Sequence, residues 1–375
     1  IALDAEVRAI ASGAITDGAP VVVNADGTVK IVESTSVTEA VGSPTVFESA
    51  ESQHTSTTFD SNSNKIVIAY KDSDNSSYGT AIVGTISDTS ISFGSPTVFN
   101  SGNTVYTSAT FDSNSNKVVI AYRDDGNSNY GTAIVGTVDS SDNSISFGSE
   151  VVYESAASTY NSAVFDSNSN KIVIAYSDGG NSDYGTAVVG TVSGTSISFG
   201  TPVVFESASS EYASATFDSS NNKVVIAYKD NGNSSYGTGI VGTVSGTGIS
   251  FGSAVVFQNQ RSEYISATFD SNANKVVIGY RNDGGDGSDY GTAAVGTVSG
   301  TSISFDSPTV FESAATSFVS ATFDSNSNRV VIAYRDQANS DYGTSIVLRN
   351  ASTSINITSE NFIGFAHAAY ADGVR

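Results

Sequence analysis

Six positions, each five residues ahead of a recurring Phe-Asp pair, carry His54, Tyr106, Tyr160, Tyr212, Tyr264 and Phe318. Aromatic rings of this kind offer a flat apolar face with a polar rim. Glu211 and Glu263 stand one residue before Tyr212 and Tyr264, and Arg261 is a base without a counterpart in the other copies, able to pair an acidic group. Aromatic faces, hydroxyls and nearby acids together suit the binding of a sugar. The same rings would equally serve as a plug, packing on one another around an axis.

Catalytic chemistry has little to draw on. His54 and His367 are the only histidines, and neither has a serine in an elbow motif nearby. Glu211 and Glu263 could be read as a glycosidase pair, but they occupy equivalent positions of adjacent copies with no apolar pocket evident to raise one of them. Arg123, Arg281 and Arg335 could be read as a sialidase-like arginine cluster, yet they too hold one position of the repeat, which inheritance explains more simply. Asp112, Asn114 and Asn116, and again Asp72 with Asp74, place oxygens at alternate positions as the start of a calcium loop does. The glycine and distal glutamate of such a loop are missing, so Asx turns explain these residues better, calcium is at most a minor expectation, and no cofactor is expected.

What positions these residues is a repeat. The stretch Tyr106–Tyr153 recurs along the chain, and its Phe-Asp pair returns at Phe59, Phe111, Phe165, Phe217, Phe269 and Phe323, spaced 52, 54, 52, 52 and 54 residues apart. A period near 50 with several strand-like runs predicts a β-propeller. Each copy divides into a short first strand (Tyr106–Phe111), a second (Lys117–Tyr122) and third (Gly131–Val138) apolar on both faces, and a fourth (Ile145–Tyr153). Strands apolar on both faces must be covered on both sides, as in blades stacked around an axis. The turns DSNSNK and SGTS are rich in Asx and glycine, as tight hairpins require. The four-to-one connections, from ESAESQH in the first copy to ESAATSF in the last, vary most and read as the loops where a specific site would be built. If the first strand is innermost, the six aromatic positions ring the mouth of the axial channel, with Ser56, Ser108, Ser162, Ser214, Ser266 and Ser320 below them.

Counting closes the ring. Gly42–Glu48 resembles a fourth strand but precedes the first full copy, whereas the sixth copy leaves the pattern after Ser345–Leu348. The expectation is an all-β, six-bladed propeller of four-stranded antiparallel blades over 42–348, closed by an N-terminal strand clasp that removes exposed edges. A second ring, Tyr70, Tyr122, Tyr176, Tyr228, Tyr280 and Tyr334, reads as structural. The RDDGNSNYGT turn that follows Tyr122 is similar to the Asp-box of sialidase-like propellers but lacks its tryptophan.

Composition sets the outer limits. With 38 acidic against 16 basic residues the formal charge is −22, the wrong sign for a nucleic-acid surface. No run of roughly 18 apolar residues suggests a membrane span. Cysteine is absent, so there is no disulfide framework or thiolate metal site.

The ends do not follow the repeat. Ala11–Val32 reads as a hairpin, with strands Pro20–Asn24 and Thr28–Val32 about an Ala25-Asp26-Gly27 turn, and 1–41 should join 349–375 in a small β stem into which the propeller is inserted. The pairing of ASGAITDGAPVVVNADGTVKIV with SENFIGFAHAAYADG resembles segments of tailed-phage virion proteins, including tail-fibre and particle-surface proteins. That resemblance implies a non-enzymatic virion structural protein at the particle surface, a tail fibre or capsid decoration, partnered with other virion proteins through the stem as a homo-oligomer. Its propeller would bind host-surface glycan or stabilise the particle. The alternatives are a secreted prokaryotic lectin or extracellular fibre subunit and, third, a propeller glycosidase.

Overall fold

The computed structural model describes residues 10–16, 21–23, 26, 28–31, 43–87, 89–284 and 289–350. The chain divides into two compact units, one of Gly42–Ser352 and one of Ile1–Val41 with Thr353–Arg375. Within the second, Val21–Val23 pairs antiparallel with Val29–Ile31 as the Asp-Gly turn predicts. Asp26 holds that turn by accepting from the Thr28 amide at 2.9 Å, and Ala11, Ile15 and Val29 form its small core. The expected stem otherwise falls on residues outside those described.

The larger unit is all-β and antiparallel, built by repetition of one sheet. In the second copy the central strand is Lys117–Asp124, in which Val118, Val119, Ile120, Ala121 and Tyr122 are all fully buried. It pairs on one side with the end of Thr97–Asp112 and on the other with Tyr130–Asp139. The fourth strand comes in two pieces, Ser144–Phe147 and the start of Val151–Asp166, both paired with Tyr130–Asp139. Between the pieces lies Gly148, where a Cβ would overlap the Thr195 carbonyl oxygen of the next copy. Only glycine permits that approach.

Apolar residues on both faces of the central strands are covered by the neighbouring copies. Val67, Ala69, Ala81 and Val83 of the first copy form one cluster with Val118, Ile120 and Tyr122 of the second. On the other face, Val119, Ala121, Ala133 and Val135 pack on Ile172, Ile174 and Tyr176 of the third. Each fully buried side chain of this size stabilises by about 1.5–3 kcal/mol.

The structure corrects the reading of the four-to-one segments as loops. Thr97–Asp112, Val151–Asp166, Val203–Asp218, Val255–Asp270 and Thr309–Asp324 are each one continuous strand of 16 residues. The first half of each belongs to one sheet and the second half to the next, so the chain crosses between copies without leaving strand geometry. Register shifts take up the change of direction, for example between Val105 and Ser108. Small polar residues read as a loop because that local pattern does not reveal sheet partners on both sides.

The last copy differs from the others. Its third strand, Tyr342–Leu348, has no fourth strand beside it among the described residues, and Tyr342 and Val347 are 61% and 66% exposed. In five copies the glycine of Tyr-Gly-Thr is covered by a fourth-strand ring: Gly79 by Phe99, Gly131 by Tyr153, Gly185 by Phe205, Gly237 by Phe257 and Gly291 by Phe311. Gly343 faces open space. The predicted strand clasp is not seen, since residues 43–50 carry no strand. Phe47 nevertheless packs on Tyr70 and Phe93 at 5.2 and 6.1 Å, as Phe99 does on Tyr122 and Phe147. A cleft of about 560 Å³, lined by Thr55–Phe59, Ile66 and Ser320–Thr322, separates the first copy from the last.

Candidate functional site

The six aromatic positions share a backbone feature invisible in their side chains. His54, Tyr106, Tyr160, Tyr212, Tyr264 and Phe318 all have positive φ, between 49° and 53°. Left-handed backbone is unfavourable for bulky residues and persists only where the surroundings enforce it. Here each aromatic occupies a bulge in the ladder between the first and central strands of its copy. The bulge turns the ring away from the alternation of its strand.

The rings form an unbroken run. Centroid distances are 5.3 Å for His54–Tyr106, 5.2 Å for Tyr106–Tyr160, 4.9 Å for Tyr160–Tyr212, 5.4 Å for Tyr212–Tyr264 and 5.2 Å for Tyr264–Phe318. All are tilted, the arrangement aromatic quadrupoles prefer to a face-to-face stack. The four tyrosines are half-buried, His54 is exposed, and Phe318 is 63% exposed. The six positions expected to form a ring are thus neighbours, packed on one another while keeping accessible surface.

Four rings carry a cation: Arg123 over Tyr106 at 5.1 Å, Lys229 over Tyr212 at 5.8 Å, Arg281 over Tyr264 at 5.0 Å and Arg335 over Phe318 at 5.1 Å. From the sequence, Arg123, Arg281 and Arg335 read only as an inherited position of the repeat, and Lys229 is not singled out. Their signal was present in the base that follows each buried tyrosine, as in Tyr122-Arg123, with Ser177 the one exception.

Glu211 and Glu263 do reach this site, but both are engaged. Glu211 accepts from Lys229 and from Asn231, each at 3.0 Å. Glu263, only 4% exposed, accepts from Arg261 Nε at 2.8 Å, is held by Arg281, and lies 3.7 Å from Lys229 Nζ. Arg261 is therefore not a free base awaiting an acidic ligand, as its sequence position suggests. Its hydrogen bond to Glu263 holds its pKa above the ordinary guanidinium value.

Five of the six serines beneath the rings are also committed. Ser56, Ser108, Ser162, Ser214 and Ser266 each accept, at 2.9 Å, from a backbone amide of the following copy: Ala109, Ala163, Ala215, Ala267 and Ala321. First strands of neighbouring copies share no backbone ladder, so these hydroxyls satisfy amides that would otherwise be orphaned. They are stitches between copies rather than ligand hydroxyls.

The tyrosines respond to this environment. Burial, then the charge of Glu211, raises Tyr160; burial, then Glu263, pushes Tyr212 up to about 12. His54 is held below the ordinary imidazole value by lost solvation first and then by the positive charges of Lys71 and Arg123. The site thus offers neutral phenols, a neutral imidazole at pH 7 and fixed cations.

The deeper tyrosine ring is structural. Tyr70, Tyr122, Tyr176, Tyr228 and Tyr280 are fully buried and Tyr334 nearly so. Tyr70, Tyr176, Tyr228 and Tyr334 donate at 3.0–3.1 Å to Glu48, Glu154, Glu206 and Glu312. Tyr122 uses Glu150 at 2.9 Å because Asn100 stands where the glutamate would be. Tyr280 accepts from Gln258 at 3.2 Å. Of the oxygens considered for calcium, those of Asp112 accept from the Asn114 and Ser115 amides and from Ser115 Oγ, and Asp72 accepts from the Asn75 amide.

No known protein family matches the chain, and no curated protein does. Among solved structures, AofleA from Arthrobotrys oligospora is similar at 10% identity, covering 85% of this chain and 86% of that one with a TM-score of 0.52. A protein of unknown function from Dyadobacter fermentans is similar at 13% identity, covering 80% and 95%, with a TM-score of 0.53. SapL1 lectin, solved with alpha methyl fucoside, aligns over 80% and 96% at 12% identity with a TM-score of 0.48, below the level from which a shared fold is argued. At these identities the likeness concerns the fold alone.

Proposed function

We propose that this chain is a non-enzymatic carbohydrate-binding protein whose saccharide site is the run of rings from His54 to Phe318. The observation that carries the reading is the positive φ of an accessible aromatic in every copy. Packing alone does not call for a strained backbone that holds a bulky ring half in solvent, whereas a surface that stacks on sugars does. The two carboxylates that could attack or protonate a glycosidic bond are occupied by Lys229, Arg261, Arg281 and Asn231, which supports binding without hydrolysis. Several similar rings side by side also suit a protein displayed in many copies, secreted or on a virion surface, where weak contacts add through avidity. The virion setting, the oligomer and the stem partners rest on terminal segments almost wholly outside the described residues.

The test is isothermal titration of a panel of neutral oligosaccharides against the full chain and Tyr160→Gly. Glycine relieves the left-handed backbone while deleting the central ring, so the variant should fold as well as the parent and bind about tenfold more weakly, a loss of roughly 1.4 kcal/mol. Unchanged affinity or release of reducing sugar overturns the reading, as does the absence of binding by neutral and acidic oligosaccharides alike.

The same proposal takes the repeats as six propeller blades, closed when residues 43–50 dock as the missing fourth strand on Tyr342–Leu348. Supporting it, SPTVFESA at 43–50 is identical to 307–314, where Thr309–Glu312 pairs with the third strand of its copy. Val310 there lies opposite Thr292, which makes Val46 opposite Thr344 the matching register. Because the chain has no cysteine, Val46→Cys with Thr344→Cys gives a clean test. An intramolecular disulfide on oxidation is expected; its absence overturns the closure.

A further inference from the structure

We infer that the sector of the aromatic run between the first and second copies is a subsite for an acidic saccharide, one bearing a carboxylate or sulfate. This rests on the proposed saccharide site and adds to it which sector takes which chemistry. In each copy the residue before the aromatic lies opposite the position after the buried tyrosine, giving six cross-strand pairs. They are Gln53 with Lys71, Val105 with Arg123, Thr159 with Ser177, Glu211 with Lys229, Glu263 with Arg281, and Ser317 with Arg335. In the fourth and fifth copies the base faces a glutamate, and its charge is cancelled on the spot. In the third there is no base. In the second the base faces valine and turns to Asp125 instead, in the sixth Arg335 faces Ser317 with Asp341 at 3.6 Å, and in the first Lys71 faces glutamine, so its charge is directed at whatever enters the site.

Among the described residues, Lys71 is the base of this sector without a carboxylate partner. Arg123 pairs with Asp125 at 2.6 Å, whereas among the described residues no carboxylate lies within salt-bridge distance of the half-buried Lys71. His54 replaces the tyrosine of the central copies, and its ring lies 5.3 Å from Tyr106 at an angle of 49°, with the Arg123 guanidinium over the other ring at 5.1 Å. The charges of Lys71 and Arg123 both act on His54, opposed by Asp125. Two permanent cations and an imidazole thus stand about two ring faces, with Asp125 held by Arg123 and Glu51 held by Gln53, in a chain of formal charge −22. A sugar ring stacked on Tyr106 or His54 would carry its anionic substituent to Lys71 Nζ and the free edge of Arg123. A neutral sugar has no equivalent gain there, and in the fourth and fifth copies the bases are already paired with glutamate.

The test uses the full chain, three probes and one substitution. The probes are trigalacturonate, its methyl ester, which keeps the sugar and loses the charge, and a sulfated galactan oligosaccharide. Gln53→Glu installs opposite Lys71 the pairing that the fourth and fifth copies already accommodate, and because it also replaces the donor that Gln53 gives Glu51 at 2.6 Å, circular dichroism checks the fold before binding is read. The expected result is at least about tenfold tighter binding of an anionic probe than of the methyl ester, with that preference abolished by Gln53→Glu and ester affinity unchanged. Which anionic probe binds tells carboxylate from sulfate, and either outcome supports the subsite. Equal binding of ester and anionic probes overturns it, as does a preference that survives Gln53→Glu, while binding of the neutral panel leaves the saccharide site standing. Failure of every probe and of the neutral panel removes the saccharide site itself.

Discussion

Glu263 supports the most demanding prediction. Its carboxylate is 4% exposed and is shared by Arg261 Nε at 2.8 Å, by Arg281 and by Lys229 Nζ at 3.7 Å, and Lys229 is itself only 4% exposed. Glu263→Gln keeps the shape and removes the charge, leaving three cations around an amide. At an effective dielectric of about 20, a unit pair near 4 Å is worth about 4 kcal/mol, and breaking a buried ionic network costs about 3–5 kcal/mol. Secondary partners reduce the loss: Lys229 keeps Glu211 at 3.0 Å, Arg261 has Asp283 at 3.7 Å and Arg281 has Asp289 at 4.0 Å. The expected destabilisation is therefore about 3 kcal/mol, at the lower end of that range. Glu211→Gln is the internal comparison. Its side chain is 31% exposed and Lys229 would still have Glu263, so the loss should be no more than about 1 kcal/mol. Urea unfolding followed by far-ultraviolet circular dichroism measures both, since the chain has no tryptophan. The difference between midpoints does not depend on a long extrapolation when the slopes agree. A Glu263→Gln variant within about 0.5 kcal/mol of the parent, or equal losses for the two variants, would refute the description of Glu263 as the hub of this network.

Two further predictions follow the deep tyrosines and His54. Tyr228→Phe strips the hydroxyl from Glu206 and should destabilise by about 2 kcal/mol, whereas Tyr280→Phe, which loses only a neutral amide partner, should lose about 1 kcal/mol; equal losses in thermal denaturation refute it. Burial raises Glu206 above its usual 4.5, so the folded state holds that proton more tightly and this contribution to stability is lost as pH rises through the window above 4.5. The Tyr228→Phe loss should therefore shrink between pH 7 and pH 4, and a constant loss counts against it. His54 has the opposite sign: its folded value lies below 6.5, so the unfolded chain takes the proton first and stability falls as pH drops below about 6.5. His54→Tyr should flatten the fall in Tm between pH 7.5 and 5.5, and an unchanged slope refutes the assignment.

Local patterns in the sequence were read well where the partners are near in the chain. The central strand expected at Lys117–Tyr122 is found at Lys117–Asp124, and the third, expected at Gly131–Val138, is Tyr130–Asp139. The hairpin about Asp26 pairs as its turn implies, over the shorter strands Val21–Val23 and Val29–Ile31. The six aromatic positions were legible because comparing copies within one chain separates what the scaffold repeats from what it varies. The serines were misread because Ser56 finds its partner at Ala109, and no local pattern points 53 residues ahead. Arg261 was misread for a related reason: the carboxylate that binds it, Glu263, is only two residues away, but whether they meet depends on the bulge geometry of the strand they share.

By itself, then, the sequence determined the repeat, the two-faced strands, the Asx turns and the set of rings, because period, alternation and turn chemistry are properties of neighbours in the chain. Only the tertiary structure decided that the supposed loops are strand, that each ring sits on left-handed backbone, and which charges remain uncancelled. Those outcomes depend on contacts between copies roughly 50 residues apart, where a hydroxyl, a carboxylate or a glycine takes its role from the copy packed against it.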